Sequence, residues 1–176
     1  MVKETYLKLV IENFQSIKKL ADRSMEQLNL DELHYAPNAE SNSISVIVRH
    51  MSGNLKSRFS EFLISDGEKP DRNRDGEFEG IYESKNQLLE AWESGWDVLF
   101  NTLAGLTEED LAKTVFIRSE PHSVIEAIQR QIVHQSSHSG QIVYIAKMIK
   151  DVEWNTLSIP RGKSEKFNQQ MNDQFK

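Results

Sequence analysis

The chain of 176 residues contains no cysteine. Disulfides, thiolate metal ligands and a protein thiol nucleophile are therefore excluded, and a reducing compartment is expected. Any metal site must use His, carboxylates or water. No apolar run approaches the ~18–20 residues of a membrane span. The start of the chain, Met1 to Thr5, lacks the apolar segment of a signal peptide and turns amphipathic at once. No basic block is present: 21 Lys and Arg stand against 27 Asp and Glu, a net charge of −6. Such a chain is poorly suited to nucleic acid or to anionic membrane surfaces. Prolines number only four, and Pro37, Pro70 and Pro160 fall between amphipathic stretches rather than inside them. These absences lead to the expectation of a cytoplasmic protein with one domain over residues 1–176, large enough to bury a core without disulfides.

What is present is helical periodicity. Val2, Tyr6, Leu9, Val10, Phe14, Ile17, Leu20, Ala21, Met25 and Leu28 step by threes and fours, predicting a long first helix. Residues 31–42 read as a loop. A second helix is expected from Ser43, with Ile44, Val48, Met51, Leu55, Phe59 and Phe62 as its apolar stripe. The charged segment Ser65 to Gly80, with three glycines and one proline, breaks it. A third helix is expected from Glu83 to Leu103, with Trp92 and Trp96 in the core. Thr107 to Asp110 suits a short helix start, and Lys113 to Glu120 reads as extended. Ser123 with Glu126 forms a capping box for a fourth helix reaching about Lys150. The tail after Trp154 reads as irregular, with room for a short last helix. Four long amphipathic segments predict an all-α four-helix bundle.

The middle of the fourth helix carries the chemistry. His134 and His138 are four residues apart, so both imidazoles leave one face. Gln141 lies one turn further along that face. Ser137, Ser139 and Gly140 are poor interior helix formers, and Gly costs about 1 kcal/mol relative to Ala. An i,i+4 His pair can chelate one metal ion. The best third ligand is His50, at the edge of the second helix's apolar stripe, followed by the polar Asn54 and Arg58. His34 and His122 read as surface residues. The third helix offers no His, so no dinuclear site is expected. The Glu-x-x-His pattern of di-iron bundles is absent, because Gln131 and Gln135 stand three residues before the two histidines. No nucleophile-elbow serine and no phosphate-cradling glycine loop is found.

Three stretches together resemble the DinB-like (YfiT-like) superfamily of four-helix metal proteins, and within it a family of unknown function common in bacilli. They are Ser43 to His50 with Gly53, Asn54 and Arg58; Phe62 to Phe78, containing Asp66-Gly67-Glu68-Lys69-Pro70; and His134 to Ile142 with Trp154 to Ser164. The resemblance implies an up-down-down-up bundle, often dimeric. It implies one divalent ion, zinc or nickel, held by one His of the second helix and two of the fourth, which map onto His50, His134 and His138. Relatives in the superfamily include transferases of low-molecular-weight thiols such as bacillithiol, and maleylpyruvate isomerases.

The expected function is therefore a metal-dependent enzyme that passes such a thiol to an electrophilic small molecule. Asn54, Arg58 and Gln141 would back the ligands or touch the substrate, and no catalytic residue is assigned. A metal-dependent hydrolase fits the same ligands. The alternative is a non-catalytic, stress-related homodimer or binding module, with the metal stapling two helices. For the charged connector Asp66 to Phe78 two readings stand: its charges pair with one another, or Arg72 or Arg74 reaches an anionic cosubstrate.

Overall fold

The computed structural model describes residues 2–175, and side chains from residue 5. Six helices follow in order: α1 Val2–Met25, α2 Leu30–His34, α3 Ile44–Phe59, α4 Lys85–Gly105, α5 Val124–Lys150 and α6 Ser164–Gln174. A hairpin, β1 Thr114–Ile117 and β2 Glu120–Ser123, precedes α5. Short 3-10 turns occupy Asp75–Phe78, Asp110–Ala112 and Asp151–Glu153. Among the described residues no helix is long and apolar enough to cross a membrane.

Side-chain caps begin the helices that carry the core. Ser43, Ser84 and Ser123 each accept a backbone N–H from the third residue of the following helix. The expected capping box of Ser123 and Glu126 is present. The loop expected from residue 31 begins instead as α2. Its five residues are nucleated by a second capping box, Asn29 with Glu32, and pinned by the fully buried Leu33. One buried leucine gives no periodicity to read. The extended segment is real but is the first half of a hairpin. Asp66 accepts the N–H groups of Arg118 and Ser119 at 2.8 and 2.7 Å, pinning the turn residues in left-handed backbone.

Four long helices, α1, α3, α4 and α5, form the bundle, and polar ties set their directions. Lys85 Nζ, at the start of α4, donates to the carbonyls of Met25 and Leu28 at the end of α1. Thr102, near the end of α4, donates to the Phe59 carbonyl at the end of α3. Helices α3 and α4 thus run parallel. Gln129 near the start of α5 meets Tyr6 near the start of α1, and Lys150 at its end reaches Glu32 just beyond α1. The order is up-down-down-up. Trp92 and Trp96 are fully buried, as expected, with Phe14, Phe59 and Leu99. The tail does form a last helix, but α6 buries no residue.

Helices α3 and α4 touch closely because α4 has Gly95 at the crossing. A Cβ there would lie 2.7 Å from Ser52 Cα, a backbone atom that cannot yield cheaply. Ser52 in turn donates to the Ala91 carbonyl at 2.6 Å. Gly95→Ala should gain about 1 kcal/mol of helix propensity yet lose about 1–3 kcal/mol to overpacking. Urea unfolding is expected to show a net loss. A variant as stable as the wild type would show that the helices separate freely.

Candidate metal centre

Helix α3 contributes His50, only 7% exposed. Helix α5 contributes His134 and His138, half-buried and one turn apart, with ring centroids separated by 4.6 Å. The His50 ring lies 5.3 Å from His134 and 5.0 Å from His138. One ligand atom from each of the three lies within 4.8 Å of the others. His34 and His122 take no part. Both are half-buried rather than exposed; His34 Nε2 accepts the Tyr82 N–H at 3.2 Å, and His122 Nε2 faces Glu120 at 3.4 Å.

The donor set fits a divalent ion. His50 Nε2 and His134 Nε2 are 3.3 Å apart. Two imidazole nitrogens bound at ~2.0–2.1 Å in a tetrahedral site stand about 3.3–3.4 Å apart. Each ring has its other nitrogen in contact: His50 Nδ1 lies 2.9 Å from Glu77 Oε2, His138 Nδ1 lies 2.8 Å from Gln141 Oε1, and His134 Nδ1 lies 3.5 Å from Gln135 Nε2; the two oxygen partners leave Nε2 of His50 and His138 free. Gln141 thus stands where a backing role was expected. Among the described residues no carboxylate joins the three imidazoles.

Glu77 comes from the 3-10 turn of the connector and is itself buried. Arg72 grips it with two hydrogen bonds, Nε to Oε1 at 2.8 Å and Nη2 to Oε2 at 2.9 Å. Burial pushes the Glu77 carboxyl up, but hydrogen bonds from His50 and Arg72 more than offset this and hold it below its ordinary value. The adjacent Phe78 stacks on the His50 ring at 5.4 Å. Arg72 therefore does not reach outward for an anion, and Arg74 lies over the Phe78 ring. Glu68 of the connector pairs with cations of the neighbouring elements. Arg58 donates to the Gly67 carbonyl and to Glu68 at 2.9 Å, and Arg118 reaches Glu68 at 3.1 Å. Asn54 accepts from Gln131 deeper in the core. Both Asn54 and Arg58 are thus engaged away from the three rings. Glu77 was missed in the sequence reading. Its signal was faint: a Glu in a solvated-looking run, and Gly53 one turn after His50 in a helix.

A cleft of about 550 Å³ opens along α5; none of the three imidazoles lines it, and Gln141 is its link to the cluster. Ser137, Gly140, Gln141 and Tyr144 of α5 form one wall, and Ile47 with Glu40 to Asn42 forms the other. Gln141 belongs to both the cleft and the His138 hydrogen bond.

Burial, then the neighbouring charges of His138, His50, Arg58 and Arg72, push His134 down to about 3. His138 is also lowered, by burial against the opposing bond to Gln141. Both imidazoles are thereby kept neutral, the form that binds metal. In the unfolded chain they take up protons near pH 6.5. The unfolded state thus holds more protons below that pH, and stability falls as the pH falls. Metal-free protein should accordingly lose unfolding midpoint between about pH 7 and pH 5, and His134→Gln should lose less of it. Glu77 acts in the same direction only at lower pH, in the carboxylate range. A flat wild-type midpoint would mean that His134 charges freely in the folded state.

A profile of the family described as "Protein of unknown function (DUF1572)" matches residues 1–163. Among solved structures, a conserved protein from Enterococcus faecalis is similar with a TM-score of 0.63 at 16% identity, over 81% of this chain and 95% of that one. A DinB-like protein from Bacillus cereus is similar with a TM-score of 0.62 at 13% identity, over 80% and 90%. No curated protein matches at a significant level. The likeness to the two structures shows that the fold is a DinB-like helical bundle, and the profile match over most of the chain shows that this protein belongs to the DUF1572 family, whose function is unknown.

Proposed function

We propose that the protein holds one divalent metal ion, zinc or nickel, on His50, His134 and His138 and serves as a small-molecule transferase using a low-molecular-weight thiol such as bacillithiol. The observation that carries this reading is three convergent imidazoles with no fourth protein ligand among the described residues, tied through Gln141 to an open cleft. A structural site is normally closed by four protein ligands, whereas a catalytic one keeps a position open. When bound, such an ion lowers the pKa of a thiol or water at that position.

The chain's own residues then have defined tasks. The three histidines supply lone pairs. Gln141 orients His138 from the cleft side. In the transfer the thiol gives up its proton, its sulfur bonds to the electrophilic carbon, and the displaced group leaves with the bonding pair. No cysteine competes as nucleophile.

One observation favours a second reading, hydrolysis. The cleft lining includes no Lys, Arg or His and one carboxylate, Glu40. A polyanionic thiol finds no cationic anchor there, whereas water needs none. We place the protein in the cytoplasm as a homodimer. The support for self-association is two exposed apolar side chains of α5, Val133 at 69% and Tyr144, at the cleft edge, at 72%.

Protein purified without a His-tag should carry about one metal per chain by mass spectrometry, lost in His138→Ala. Cobalt-substituted protein should develop a thiolate-to-cobalt band with bacillithiol. Metal without the band would leave hydrolysis or a structural staple, and no metal after reconstitution would remove the reading. Access through the cleft is tested separately. A Cβ on Gly140 would meet no atom within 4 Å, so Gly140→Leu should fold, keep its metal and retain stability. The same change should weaken thiol or substrate binding about tenfold or more by filling the cleft. Unchanged binding would move the entry route elsewhere.

A further inference from the structure

We infer that Glu77, clamped by Arg72, is a positioning residue that fixes the imidazole of His50, and that Gly53 is required because its missing side chain leaves room for that carboxylate. This rests on the metal reading for its purpose, but its geometry is independent of any ion. His50 Nδ1 meets Glu77 Oε2 at 2.9 Å. A carboxylate only accepts, so Nδ1 carries a proton, and in the neutral ring the lone pair is then on Nε2. That is the nitrogen 3.3 Å from His134 Nε2. Without Glu77 the ring would be free to take either tautomer. Carboxylates behind metal-bound histidines fix the tautomer and raise ligand basicity.

The clamp explains why Glu77 itself is not a ligand. Both of its oxygens are occupied, Oε1 by Arg72 and Oε2 by His50 Nδ1 and Arg72. Arg72 is a side chain only 5% exposed, and its planar fork matches the carboxylate in two parallel bonds. Gly53, one turn beyond His50 on α3, completes the arrangement. A Cβ at Gly53 would stand 2.3 Å from Glu77 Oε1 and 2.8 Å from its Cδ. The carboxylate would have to leave its place, and with it the hydrogen bond to His50. Gly53 therefore accepts a poor helix propensity in the interior of α3 in exchange for that contact.

The test uses Glu77→Gln, Gly53→Ala and the double variant in the full chain. Metal-free proteins are titrated with zinc against a chromophoric chelator, and nitrogen NMR reads the His50 tautomer above the imidazole titration range. Each single variant is expected to bind zinc about 10- to 100-fold more weakly. The double variant should be no weaker than Glu77→Gln alone, because both changes remove one interaction. Helix propensity favours Ala over Gly, so a loss of affinity in a still-folded Gly53→Ala protein cannot be ascribed to a weakened helix. Metal-free wild type should show His50 protonated on Nδ1 alone, and both single variants a mixture. Wild-type affinity in both variants, losses that multiply in the double, or one unchanged tautomer throughout would overturn the inference. If wild type itself binds no zinc, the metal reading fails while the tautomer measurement still decides the role of Glu77. Should Glu77→Gln fail to fold, Gly53→Ala carries the same two readouts.

Discussion

The hydrogen-bonded chain from Arg72 through Glu77 to His50 joins the connector to the bundle. A buried carboxylate, a guanidinium and an imidazole are each costly to remove from water unless paired. Here each satisfies the others, so the connector can close on α3 only in the arrangement that also orients His50. Loss of one partner would leave another buried and unpaired, which costs more than the net worth of the bond itself. The charged run that looks solvated in sequence is in this sense part of the interior. Phe78, stacked on His50, belongs to the same closure.

The topology explains why a connector of this kind exists. Because α3 and α4 run parallel, the chain must travel back along the bundle between Ser60 and Ser84. A helix of 16 residues such as α3 is about 24 Å long, and the residues 60–84 are more than enough to span it. The excess length folds as a network of its own. Asp66 gathers the N–H groups of Glu68, Arg118 and Ser119. Glu68 collects Arg58 and Arg118. Few of these pairs are strong alone at half-exposed sites. Together they fix where the turn at Asp75–Phe78 sits, and hence where Glu77 enters.

Legibility in the sequence followed the range of the interactions involved. The four bundle helices declare themselves through apolar steps of three and four, and Ser43 and Ser123 through local capping chemistry. The pair His134 and His138 was legible for the same reason, since i,i+4 spacing sets a common face. His50 needed the family resemblance as well as its place on the apolar stripe. Helix α2 was not legible, because five residues around Leu33 carry no period. The hairpin was half legible, because Arg118 and Ser119 lack the glycine that usually marks such a turn. Glu77 left only a faint trace. Its partners lie 5 and 27 residues away, and the nearer one, Arg72, looks like any exposed cation. Asn54 and Arg58 show the converse. Polar residues following a ligand on its helix invite a role beside it, yet Gln131 and Glu68 claim them.

Three helix-interior glycines separate packing from access. Gly95 is answered by the backbone of Ser52, and Gly53 by the carboxylate of Glu77. In each, a neighbouring group occupies the space a side chain would need, so the cost in helix propensity is offset by a contact. Gly140 has no such neighbour: nothing lies within 4 Å of its would-be Cβ. Neither close approach nor backbone strain accounts for a residue that costs the helix about 1 kcal/mol relative to Ala. What its bareness does provide is space in the cleft, beside the Gln141 that bonds His138. A site whose only task was to staple α3 to α5 would gain nothing from that space. The open wall at Gly140 gives the cleft the room that the proposed reading requires.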